Sequence, residues 1–122
     1  MKIRIQRNSI RFRLSKTEVE KLANEGLVTE KTPFGKSTFI YQVLQNPDLD
    51  ALWASFEDGK ITLEVPSAYL QDWAINEIVG FDSKMETGEN ESLTLLIEKD
   101  FKCIDNTTED QSDHYENPKK SC

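Results

Sequence analysis

Cysteine and histidine are scarce in this chain of 122 residues, with two of the first and one of the second. Compact zinc sites and thiol or imidazole catalysis both need several such groups held close on a scaffold. Glycine and proline are also few, at 5 and 4, so neither low-complexity sequence nor a glycine-rich phosphate loop is present. There is no serine-centred nucleophile elbow and no His-Glu zinc pair. No apolar run approaches the roughly 18 residues that a membrane-crossing helix requires. The opening MKIRIQRNSIRFRL alternates charged and apolar residues instead of building the apolar core of a secretory signal. Basic residues are outnumbered, 15 against 22 acidic, for a net charge of -7. That balance argues against a surface that grips nucleic acid all over. The chemistry that is missing points away from an enzyme and away from any cofactor. It points towards a cytoplasmic protein, outside the membrane, with its thiols reduced.

What is present is unevenly placed. Residues 1–21 carry seven cations (Lys2, Arg4, Arg7, Arg11, Arg13, Lys16 and Lys21) against Glu18 and Glu20, a local balance of +5. The rest of the chain stands at -12. A basic opening on an acidic body either meets an external anion or complements its own acidic strands.

Period-two alternation marks the strands. Lys2 to Gln6 places Ile3 and Ile5 on one face, and Ile10, Phe12 and Leu14 continue it with Arg11 and Arg13 outward. Asn8-Ser9 is read as the turn between them. Ser15 and Glu18 form a capping box that opens a helix with Val19, Leu22 and Ala23 inward, ending at Gly26. Leu27 to Thr32 and Lys36 to Gln45 read as two further strands. Ala51 to Glu57 and Lys60 to Val65 form a hairpin across Asp58-Gly59, a strong short-range turn signal. Pro66 and Ser67 open a second helix carrying Leu70, Trp73 and Ala74. Val79 to Glu86 and Ser92 to Lys99 make the last hairpin, around Thr87-Gly88-Glu89-Asn90.

The same pattern is thus met twice, in residues 2–45 and 51–99. A shift of 51 lays Ile10, Phe12 and Leu14 on Ile61, Leu63 and Val65. It also lays Val19 and Leu22 on Leu70 and Trp73, and Leu27-Val28 on Ile78-Val79. The expected fold is α+β, mostly β. Two ββαββ units would pack as a small barrel or as two facing half-sheets, with about eight strands and two short helices. Residues 1–103 form one globular domain and 104–122 an acidic polar tail. The core should hold Ile10, Phe12, Leu14, Leu22, Ile61, Leu63, Val65 and Trp73. Small barrels fill their interiors with side chains, so no large ligand cavity is expected.

Two resemblances follow from these residues. A strand running into a proline-opened helix, as in Lys60-Ile-Thr-Leu-Glu-Val-Pro66, resembles the swapped-hairpin and cradle-loop barrels of small bacterial transcription regulators of the AbrB and MraZ type. Asn8-Ser-Ile-Arg-Phe-Arg-Leu14, Val79-Gly-Phe81 and Glu98-Lys-Asp-Phe-Lys-Cys103, with Glu109-Asp110, Asp113 and Asn117-Pro118, are similar to an uncharacterised family of short bacterial proteins. That second resemblance spans nearly the whole chain and implies no activity, ligand or catalytic residue.

Two sets of residues could carry a function. Lys2, Arg4, Arg11 and Arg13 share one side of the first hairpin, where their forked or pointlike donors could meet phosphate or carboxylate. Glu86, Glu91 or the acidic tail could instead cover that face. Cys103, Asp110, Asp113, His114 and Cys122 could supply metal ligands, although their spacing matches no compact zinc motif. The function expected is a non-enzymatic binding or regulatory module that contacts a protein or nucleic-acid partner, a polyanion included, through the basic hairpin. The alternative is a small metal- or anion-binding protein that uses the tail. A homodimer would help to hide exposed sheet edges.

Overall fold

The computed structural model describes residues 1–101. Eight strands and two helices follow one another as β1 (Lys2–Gln6), β2 (Ser9–Leu14), α1 (Lys16–Glu25), β3 (Leu27–Pro33) and β4 (Thr38–Asn46), then β5 (Trp53–Glu57), β6 (Lys60–Pro66), α2 (Ser67–Leu70), β7 (Gly80–Gly88) and β8 (Glu91–Lys99). The ββαββ order occurs twice, as the apolar alternation indicates.

The two units interleave. One four-stranded sheet runs β1-β2-β8-β7 and the other β3-β4-β6-β5. Each therefore joins the first hairpin of one unit to the second hairpin of the other. The joints are parallel, β2 on β8 and β4 on β6, while all hairpin pairs are antiparallel. The matching reaches residue level. In one sheet Phe81, Ile97, Phe12 and Ile3 form a row across the strands. In the other the row is Val28, Val43, Leu63 and Ala54. The hydrogen bond from Thr94 N–H to the Asn8 carbonyl at 2.8 Å has its counterpart in Ile40 N–H to the Gly59 carbonyl at 3.0 Å.

These rows are the core. Ile10, Phe12, Leu14, Leu22, Ile61, Leu63, Val65 and Trp73 are all buried, together with Val19, Val28, Val43, Leu95 and Ile97. The arrangement is two half-sheets rather than a closed barrel. Among the described residues no backbone ladder joins them at either side, and side chains bridge the gap instead. On one side the amides of Leu52 and Ala54 donate to Ser83 Oγ and Met85 Sδ, at 3.1 and 3.4 Å. On the other, Tyr41 Oη donates to the Met1 carbonyl at 3.3 Å.

Helix α1 starts at the capping box read from the sequence. Glu18 N–H donates to Ser15 Oγ at 3.3 Å, and Ser15 N–H donates to Glu18 Oε1 at 2.8 Å. It ends at Gly26, whose φ of 82° is left-handed and suits a residue without Cβ. Val19 and Leu22 are buried, whereas Ala23 is only half-buried.

Three local expectations need correction. The first turn is Arg7-Asn8, not Asn8-Ser9, because Gln6 pairs with Ser9. Arg7 takes the left-handed φ of 52° there. Helix α2 covers only four residues and does not reach Trp73. Gln71 turns extended at ψ 114° and Asp72 takes φ 62°, so the chain leaves the helix to aim the indole inward. The indole N–H donates to the Ile78 carbonyl at 2.8 Å, and the ring packs 5.4 Å from that of Phe81. This longer connection also breaks the uniform shift of 51 read from the sequence. Ile78 and Val79 are exposed, and the structural counterpart of Val28 is Phe81.

Candidate functional site

The alternation of β1 and β2 turns Lys2, Arg4, Arg11 and Arg13 away from the core, as expected, onto the outer face of one sheet. Their register is tight. Lys2 stands directly across from Arg13, and Arg4 from Arg11. Like charges placed opposite each other on one face of an antiparallel pair repel. The parallel neighbour β8 answers with acid. Glu98 Oε1 lies 3.5 Å from Arg11 Nη1 and 3.6 Å from Arg13 Nε. Lys2 Nζ lies 3.0 Å from Asp100 Oδ2, just beyond the strand. Arg4 Nη2 donates to Gln6 Oε1 at 3.4 Å. A shallow concavity of about 220 Å³ opens here, walled by Arg4, Gln6, Ser9 and Arg11 with Leu96 as its apolar contribution.

Glu98 and Asp100, which are not among the expected covers, are carboxylates in these pairs, while the acidic tail named with Glu86 and Glu91 lies outside the described residues. Sequence reasoning missed them because β8 joins β2 in parallel across about 85 residues, a pairing that no local signal announces. Their alternation on a strand was visible; their neighbour was not.

A second charged cluster sits at the chain start. The Met1 ammonium pairs with Glu18 Oε2 and lies 3.5 Å from Glu30 Oε1. Partial burial works to raise the Glu18 carboxyl. The ammonium and the Ser15 amide and hydroxyl outweigh it and hold the group below its ordinary value of 4.5. Burial, with the charges of Glu30 and Glu18, pushes the Tyr41 phenol above 10.0. These contacts tie the chain start, α1 and β3 together. The cluster is structural.

The tail set of Cys103, Asp110, Asp113, His114 and Cys122 lies outside the described residues. Among the described residues no group of three metal-ligating side chains comes together.

The expectation of a filled interior fails at one end. The helices follow the ends of β2 and β6, so both cover the same end of the two sheets. The four hairpin turns gather at the other end, where none of the described residues forms a helix. There the sheets part around a cleft of about 420 Å³, floored by Ile10 and Ile61 and rimmed by the exposed Ile5 and Phe56. Phe39 and Leu93 form further wall. The apolar periodicity that marks these residues as core carries no sign of which of them a capping element will fail to cover.

No helix among the described residues is long and apolar enough to cross a membrane. Searches of curated proteins and of solved structures returned no match. A family model described as a family of unknown function (DUF7009) matches residues 1–119, so the chain belongs to that family.

Proposed function

We propose that the protein is a non-enzymatic binding module that holds an acidic segment of a protein partner against the basic face of β1 and β2. The observation that carries this reading is the register of Lys2 on Arg13 and Arg4 on Arg11. A solvent-facing strand needs polar residues outward, but it does not need two like-charged pairs directly across from each other, which cost stability. Such a register needs carboxylates beside it, and it draws Glu98 and Asp100 to this face. Glu98 and Asp100 preview the contact: carboxylates already sit among these cations, and partner carboxylates would exchange with them. Leu96 in the concavity adds an apolar contact. The carboxylates already seated among these cations favour an acidic protein segment over a phosphate backbone. With this reading goes the expectation of a bacterial cytoplasmic protein.

The test is retention on immobilised poly-glutamate, and separately on heparin, at low and at high salt. Wild-type protein should be held by poly-glutamate at low salt and released by high salt. The variant Arg4→Gln with Arg11→Gln should flow through while melting close to wild type. A wild type that poly-glutamate does not hold at low salt overturns the reading. Retention on heparin alone would replace the protein segment by a nucleic-acid or other polyanionic partner.

A further inference from the structure

We propose that the cleft at the turn end binds an amphiphile of the fatty-acid class, with its hydrocarbon chain between the two sheets and its anionic headgroup at Arg7. The cleft is built by the fold rather than left by a packing defect. Its walls come in matched positions of the two units: Ile5 with Phe56, Ile10 with Ile61, and Phe39 with Leu93. The site therefore straddles the line that relates the two sheets, and both contribute to it. Its volume of about 420 Å³ falls among pockets that take small ligands, roughly 300–1,000 Å³.

Chemistry selects the ligand. Ser55 brings the one polar side chain among the lining residues. A buried heterocycle or sugar would therefore leave its polar atoms unsatisfied, which opposes binding. A hydrocarbon chain has no such atoms and gains by leaving water. Met85 at one wall is unbranched and adaptable, suited to a flexible chain rather than to one rigid shape.

The headgroup follows from what adjoins the cleft. Leu93 also lines a neighbouring polar depression, shared with Arg7, Asn8, Asn90 and Glu91. A chain lying along Leu93 would leave the cleft towards this depression. Arg7 is the cation there, held at the tip of the β1–β2 turn, and it makes no ion pair among the described residues. Glu91 on the same depression confines an anion to the Arg7 side.

Dodecanoate and dodecanol, titrated below their aggregation concentrations by calorimetry, test the proposal on the full chain. Dodecanoate should bind one-to-one. Phe56→Asp, which changes an exposed rim position, should weaken both probes by about tenfold or more, and Ile5→Gln on the opposite rim should act in the same direction. Arg7→Gly should weaken dodecanoate and leave dodecanol unchanged. Absence of binding by both probes, or binding indifferent to Phe56→Asp and Ile5→Gln, overturns the site. Dodecanoate binding indifferent to Arg7→Gly overturns the headgroup assignment. Sedimentation that shows a dimer dissociated by Phe56→Asp but not by dodecanoate would make a second copy the occupant and overturn the proposal. None of these outcomes depends on the basic face of β1 and β2.

Discussion

At the scale of single residues, burial and charge pairing separate what is structural from what is spare. Leu63 is fully buried at the centre of its row between Val43 and Ala54. Leu63→Ala should cost about 2–5 kcal/mol, read as a drop in the urea midpoint, because the rigid sheets around it cannot collapse into the void. Glu18 works differently. Its folded carboxyl lies below the ordinary 4.5, so the unfolded chain takes up a proton first as acid is added. The stability it supplies is complete above about 4.5 and is lost as pH falls through the lower folded value. Tyr41, raised above 10.0, favours its neutral form when folded, so its contribution is lost as pH rises past that value. Urea unfolding of wild type and Glu18→Gln across acid pH should show two curves that differ at neutral pH and converge in acid. Parallel curves would mean that the ammonium contact contributes nothing.

At the scale of elements, the joint between β7 and β8 leaves no room for a side chain at Gly80. A Cβ on Gly80 would stand 2.2 Å from the Ile97 carbonyl oxygen and 2.9 Å from Glu98 Cα, both backbone atoms that cannot swing aside. Gly80→Ala should therefore destabilise by about 1–3 kcal/mol or more through overpacking. Thermal melting would detect it, whereas the neighbouring Val79→Ala, at an exposed position, should melt near wild type. The element limits also show what local signals can carry. The capping box at Ser15 and Glu18 and the Asp58-Gly59 turn are readable because their physics acts within four residues. The end of α2 is not. It is decided by where Trp73 must point to meet Phe81 and the Ile78 carbonyl, and the apolar spacing of Leu70, Trp73 and Ala74 resembles a helix regardless.

At the scale of the whole molecule, interleaving makes the two units dependent on each other. Neither sheet can be assembled from one unit, because each needs the parallel joint of β2 on β8 or of β4 on β6. A fragment of residues 1–50 carries both hairpins and α1 of its unit, but half of each sheet's core row is missing. As a monomer it should show no cooperative transition by circular dichroism. Mixing it with residues 51–122 should restore one, since the two pieces together supply every strand. A fragment that folds alone as a monomer would contradict the interleaved arrangement.

The sequence by itself determined the order of strands and helices, which face of each strand is apolar, and that the pattern occurs twice, but not the end of α2 or the first turn. Those properties follow from side-chain alternation and local capping, which involve neighbours a few residues apart. It placed Lys2, Arg4, Arg11 and Arg13 on one surface for the same reason. Only the tertiary structure decided that hairpins from different units share a sheet, and hence that Glu98 and Asp100 reach those cations. It alone decided that both helices cover one end and leave a cleft at the other. Parallel pairing across distant segments is selected by how complete apolar faces fit together, and that fit is a property of the assembled core.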